Sequence, residues 1–229
     1  MTMIASNLQA VHGRIDAVCR ALGRDPQQLR LLAVSKTFGV PQLEQAFAAG
    51  QTCFGESYIQ EAVGKIQALR HRAIEWHCIG PIQSNKTRPV AEHYDWVQSL
   101  DRQRIAQRLN EQRPLHVPPL QICLQVNIDG GANKSGVMPD ELMALIEEVI
   151  KLPRLRLRGL MTIPEPAADF AAACAVHSKA KALFDQVNSA GVLAEPMDTL
   201  SMGMTADLEA AIAAGSSMVR VGTAIFGGR

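Results

Sequence analysis

Residues 31–55 read LLAVSKTFGVPQLEQAFAAGQTCFG. Leu31–Ser35 is a short and almost unbroken apolar run, the pattern of a strand buried on both faces. Val40–Ala49 follows with apolar residues at helical spacing; Pro41 sits in its first turn and Gly50 just past its end, the usual punctuation of a helix. Thr52–Gly55 then opens a second strand. Strand, helix and strand in that order predict two parallel strands joined by a crossover helix.

The same alternation continues along the chain. Further strands are predicted at Glu75–Gly80, Trp96–Leu100, Leu120–Ile128, Leu157–Ile163, Thr199–Gly203 and Met218–Phe226. Helices are predicted at Arg102–Gln112, which ends before Pro114, and at Pro139–Leu152, whose Asp140 and Glu141 suit a helix N-terminus. Ala168–Ala190 and Ala206–Ala214 end at Gly191 and Gly215, and a helix near Met3–Leu22 precedes the first strand. Eight units of this kind predict an α/β fold: a single (β/α)8 barrel domain over residues 1–229 with an extra N-terminal helix. An open, doubly wound sheet is the alternative.

Composition narrows the function classes. Of 229 residues, 47% are hydrophobic, enough for one sizeable core. Lys plus Arg number 23 and Asp plus Glu 22, a formal charge of +1 that leaves no footprint for nucleic acid or an anionic membrane. Cys19, Cys53, Cys78, Cys123 and Cys174 are scattered without metal-ligand spacing, so no metal site is expected and the thiols read as reduced. No run approaches the ~18 apolar residues of a membrane span, and the N-terminus lacks the form of a signal peptide. A soluble, cytoplasmic protein is expected.

In a barrel of this kind the active face lies at the C-terminal ends of the strands. Lys36 ends the first predicted strand. An apolar setting favours the neutral amine, the form that attacks aldehydes. At the seventh and eighth strands, Gly203-Met204-Thr205 precedes a helix with Thr205 as its expected N-cap, and Gly222-Thr223 forms a second turn. With the hydroxyls of Ser201 and Thr223 these turns suggest a phosphate cradle. Amine plus anion site implies a phosphorylated carbonyl compound. A phosphosugar aldolase and a pyridoxal phosphate protein both fit at this point. Lys65, Lys86 and Lys134 read as solvated lysines, with a second docking point for a ligand as the alternative.

Seven segments carry a family resemblance: LAVSKT (32–37), FGESY (54–58), EWHCIGPIQSNK (75–86), KSG (134–136), LMTI (160–163), SMGMTADLEAAI (201–212) and VRVGTAIFG (219–227). Together, across essentially the whole chain, they resemble the pyridoxal phosphate homeostasis protein family, which is itself similar to the barrel domain of alanine racemase. The resemblance implies pyridoxal 5′-phosphate as cofactor, held as a Schiff base on Lys36. It implies that Ser201, Gly222 and Thr223 hold the phosphate, that Arg220 faces the pyridine nitrogen, and that Met204 and Thr205 flank the cofactor. Ser57 and His77 would lie near the ring. Ser57 stands where the family usually has Asn, and Thr205 where it usually has Ser.

The resemblance further implies cofactor buffering or delivery without robust catalysis. Alanine racemase supplies a second proton-transfer group, a tyrosine, from an added β domain. Here the sequence runs to Arg229 directly after the eighth strand, and Tyr58 and Tyr94 sit in different settings, so no catalytic residue is expected. A weak amino-acid racemase is the alternative. Apo-enzymes that use the cofactor are the expected partners, and the protein is expected to be a monomer.

Overall fold

The computed structural model describes residues 2–131 and 134–228; the domain ends expected at Met1 and Arg229 lie outside the described residues. Eight parallel strands close into a barrel in chain order. They are β1 (Arg30–Val34), β2 (Cys53–Glu56), β3 (Glu75–Cys78), β4 (Trp96–Leu100), β5 (Leu120–Val126), β6 (Leu155–Thr162), β7 (Thr199–Ser201) and β8 (Met218–Val221). Closure comes from β8 pairing with β1, with Leu31 opposite Val219, Leu32 opposite Arg220 and Ala33 opposite Val221. The open-sheet alternative is thereby excluded.

Helix α1 (Met3–Ala21) precedes the barrel. The others are α2 (Val40–Ala48), α3 (Ile59–Ala68), α4 (Thr87–His93), α5 (Gln103–Gln112), α6 (Leu142–Val149), α7 (Phe170–Ser189), α8 (Leu208–Ala213) and α9 (Thr223–Phe226). Two of them, α3 and α4, carry no clear signal in the sequence. Neither has a side-chain N-cap, and α4 has seven residues with Pro89 in its first turn. The last predicted strand is also corrected: β8 stops at Val221, and Thr223–Phe226 turns into α9. A short apolar run does not by itself distinguish a buried strand from a buried helical turn.

Helix α1 buries Ile4, Leu8, Val11, Ile15 and Cys19, one stripe at helical spacing, and packs on α8 and α9. The large apolar core lies between the strands and the surrounding helices. A second, small apolar cluster, Trp96, Cys123 and Met161, fills part of the barrel lumen. No helix among the described residues is long and apolar enough to cross a membrane.

Strands β6 and β7 approach closely at Gly159, which pairs with Thr199. A Cβ there would lie 1.6 Å from the Thr199 carbonyl oxygen. Backbone on both sides leaves no side chain to move aside. Gly159→Ala is expected to destabilise the barrel by about 2–3 kcal/mol in urea unfolding; a loss within the ordinary scatter of surface substitutions would contradict this packing.

Candidate functional site

Lys36 lies two residues past the last residue of β1, half-buried at the barrel mouth, one residue further beyond its strand than expected. The next residue, Thr37, has φ of 71°, a left-handed conformation that non-glycine residues adopt at a cost. What holds this corner is a cluster that sequence reasoning missed. The Thr37 amide donates to Glu61 Oε1 at 2.8 Å. Lys65 Nζ lies 2.5 Å from Glu61 Oε1, 2.8 Å from Glu56 Oε1 and 3.0 Å from the Ser35 carbonyl. Ser35 Oγ donates to the same Glu56 oxygen at 2.7 Å. Both chain neighbours of Lys36 are therefore tied to one ion cluster.

Lys65 is 5% exposed and Glu56 fully buried, so the reading of Lys65 as a solvated lysine is corrected. Its one sequence signal was Glu61 four residues earlier, a pair that shares a helix face. Burial pushes the Glu56 carboxyl above its ordinary value, against the pull of Lys65 and Ser35. At Glu61 burial also works upward, but the Lys65 and Thr37 hydrogen bonds outweigh it and hold the carboxyl low.

Across the mouth lies the second half of the site. Lys36, Ser57, Met204, Thr205, Arg220, Gly222 and Thr223 all line one cavity of about 360 Å³, a volume suited to a small ligand. Thr223 Oγ1 and Thr205 Oγ1 lie 3.3 Å apart. Thr223 begins α9; the Ile225 and Phe226 amides bond to the Gly222 carbonyl at 2.9 Å, which leaves the Thr223 and Ala224 amides to serve an anion. A Cβ on Gly222 would press on the Val34 carbonyl oxygen at 3.1 Å.

Thr205 is not the N-cap of α8. Asp207 occupies that position, and its Oδ1 accepts the Met204 amide at 2.7 Å while its Oδ2 pairs with His177 Nε2 at 2.8 Å. The loop is fixed from the other side by α1: Arg14 Nη2 donates to the Thr205 carbonyl at 3.0 Å and pairs with Glu209. These contacts leave the Thr205 hydroxyl free to face Thr223. Gly203 makes the loop possible, with φ of 93° and no room for a Cβ beside Ala211.

Two expected site residues do not line the cavity. Ser201 is fully buried in the lumen, donating to Gln98 Oε1 at 2.7 Å and accepting from Arg220 Nη1 at 2.7 Å. With both roles of its hydroxyl engaged, it is not placed to hold a phosphate. His77 is also fully buried, stacked on Trp96 and bonded to Glu75 and Gln98. Its strand ends one residue later, but its ring points into the barrel and away from the mouth. Arg220 reaches the cavity with one side and the lumen with the other. Its partners, Ser201 Oγ and the Thr162 carbonyl, are neutral. Burial draws its guanidinium down to about 10 despite the charge of Asp207.

The cavity thus offers a primary amine, a paired hydroxyl and amide anion site, a buried guanidinium and apolar walls from Phe38, Ile79 and Ile163. This donor set fits a flat, phosphorylated aldehyde with a ring acceptor.

The alanine racemase N-terminal domain family matches residues 6–229. A Pseudomonas aeruginosa protein named pyridoxal phosphate homeostasis protein is 54% identical over 100% of this chain and 97% of its own length. One of the same name from Escherichia coli is 50% identical over 100% and 98%. The solved structure of PipY from Synechococcus elongatus, with pyridoxal phosphate bound, superposes with a TM-score of 0.85 at 32% identity, covering 98% of this chain and 100% of that one.

The buried cluster beside Lys36 yields a direct expectation. Lys65→Met strands the Glu56 carboxylate and should cost about 3 kcal/mol in urea unfolding, most of it recovered when Glu56→Gln is added. Equal stability of the single variant and the parent would contradict the cluster.

Proposed function

Because the chain belongs to the alanine racemase N-terminal domain family and, within it, to the pyridoxal phosphate homeostasis proteins, we propose that it binds pyridoxal 5′-phosphate at the barrel mouth as an intracellular buffer and carrier of that cofactor. The observation that carries this reading is a single cavity onto which the Lys36 amine, the Thr205 and Thr223 hydroxyls and the Arg220 guanidinium all open. When bound, the cofactor supplies an aldehyde that condenses with an amine, losing water, and that exchanges from one amine to another. Lys36 is the residue that captures it. The Thr205 and Thr223 hydroxyls and the amides of Gly222, Thr223 and Ala224 hold the phosphate. Arg220 takes the ring nitrogen and keeps it unprotonated, which weakens the ring as an electron sink. Ser57 and Met204 flank the ring.

The lining supports holding over turnover. Among the described residues of the cavity, Lys36 is the one group suited to move a proton; there is no lining tyrosine, histidine or carboxylate. Tyr58 is half-exposed and Tyr94 is buried, and neither reaches the cavity. Two-sided proton transfer at an amino acid's α-carbon needs a second base. We read the protein as a monomeric, single-domain carrier in the cytoplasm, whose recipients are apo-enzymes that use the cofactor.

Borohydride treatment of the loaded protein should fix the cofactor on Lys36, found by peptide mass mapping, and Lys36→Ala should abolish the label. The same protein incubated with D- or L-amino acids in deuterated water should exchange no α-proton at enzyme-like rates. A label elsewhere defeats the binding reading, and sustained exchange defeats the carrier reading in favour of a racemase. Thr223→Val should weaken binding of pyridoxal 5′-phosphate about tenfold, the loss of one charge-assisted hydrogen bond, and leave pyridoxal, which lacks the phosphate, unaffected. Equal losses for both ligands would remove Thr223 from the phosphate site.

A further inference from the structure

A row of hydrogen-bonded side chains crosses the barrel lumen and ends on Arg220. Arg220 Nη1 lies 2.7 Å from Ser201 Oγ, Ser201 Oγ lies 2.7 Å from Gln98 Oε1, Gln98 Nε2 lies 2.9 Å from His77 Nδ1, and His77 Nε2 lies 2.6 Å from Glu75 Oε1. Strands β4 and β7 are not neighbours, so the bond between Gln98 and Ser201 spans the interior. Ser201, Gln98 and His77 are fully buried and Arg220 is 3% exposed. The row begins at the cavity wall with a cation and finishes at the opposite end of the barrel with a carboxylate.

One direction of donation satisfies every member. A guanidinium has no acceptor, so Ser201 Oγ must accept from Arg220 and give its single proton to Gln98 Oε1. That choice turns the Gln98 amide nitrogen toward His77, with Met218 Sδ at 3.1 Å as its second neighbour. His77 Nδ1 must then be the acceptor, and its Nε2–H donates to Glu75. The tautomer and the amide orientation follow from the hydrogen-bond pattern. Burial of the ring works against its protonation and in the same sense as this assignment.

The far end is anchored by Arg30, whose Nη2 lies 2.5 Å from Glu75 Oε1 and 3.0 Å from Cys53 Sγ. Cys53, Glu75 and His77 are near enough to one another to suggest a metal site. Arg30 already supplies the cation there, and the His77 nitrogen that faces the cluster carries the proton of the row. The cluster is better read as the anionic foot of the row. Burial alone would raise the Glu75 carboxyl, but the hydrogen bond from His77 and the charge and hydrogen bond of Arg30 hold it low, so it stays charged.

We propose that Ser201, Gln98 and His77 are positioning residues that fasten the Arg220 guanidinium to the Glu75 carboxylate across the barrel and so set its donation to the cofactor ring. Members of an aligned row polarise one another, so a break anywhere should be felt at Arg220. The inference rests on the reading that Arg220 meets the ring of pyridoxal 5′-phosphate.

The test uses full-length Ser201→Ala and Gln98→Met, which break the row at different links. Both should move the visible absorption band of the Lys36-bound cofactor in the same direction and raise its Kd about tenfold. The double variant should be no worse than the more severe single one, because both cut the same row. In the wild-type protein, nitrogen-15 NMR should find His77 neutral with the proton on Nε2, a measurement that needs no variant to fold. Folded variants with the parent band and affinity, additive effects, or a proton on His77 Nδ1 would overturn the row's role. Absence of a borohydride-stable label on Lys36 in the parent protein would instead overturn the cofactor reading beneath it, and the inference with it.

Discussion

The ladder between β1 and β8 is what makes a site out of residues from opposite ends of the chain. Pairing of Leu31 with Val219, Leu32 with Arg220 and Ala33 with Val221 closes the barrel in parallel register. The residue that leaves β1 and the turn that leaves β8 must then emerge side by side at the same mouth. Lys36 and the Gly222-Thr223 turn are neighbours for that reason. Close approach at the seam is visible at Gly222, where a side chain would press on the Val34 carbonyl oxygen. The extra helix α1 braces the same seam from outside, with Asn7 donating to the Ile225 carbonyl and Arg14 to the Thr205 carbonyl.

Two buried polar systems then fix the orientation of the functional groups. One is the ion cluster of Glu56, Glu61 and Lys65, which grips both chain neighbours of Lys36 and supports the left-handed Thr37. The other is the lumen row that reaches Arg220. Buried polar groups are tolerable when each finds a partner and costly when one is missing. Systems of this kind therefore admit few alternative arrangements, which is a way to hold a site rigid without a large apolar lumen. Apolar side chains, among them the small cluster of Trp96, Cys123 and Met161, fill the lumen beside the row.

The barrel was legible in the sequence because the alternation of buried strands and punctuated helices repeats along the chain, as residues 31–55 display. Lys36, Ser57, Met204, Thr205, Arg220, Gly222 and Thr223 were legible as a group because strand ends in a parallel barrel share one face. Ser201 and His77 were misplaced for a related reason: the strand pattern does not give the height of an inward side chain within the lumen. Thr205 was mistaken for a cap because α8 starts two residues later than the sequence suggests: Asp207 stands at its N-cap position, and the Asp207 carboxylate ties down the loop through the Met204 amide instead of capping the helix. Lys65 was misjudged because its partners Glu56 and Ser35 lie on other elements, and helical spacing alone exposes one of its contacts. The support from Arg14 had no local signal at all, since its partners lie at the far end of the chain.

A crystal structure of the protein loaded with pyridoxal 5′-phosphate is the decisive measurement for the site at the barrel mouth. It should show continuous density from Lys36 Nζ into the cofactor, the phosphate seated on the Thr205 and Thr223 hydroxyls at the start of α9, and the ring nitrogen against Arg220. Density for the cofactor at another place, or a phosphate held by Ser201 and His77 inside the lumen, would contradict it.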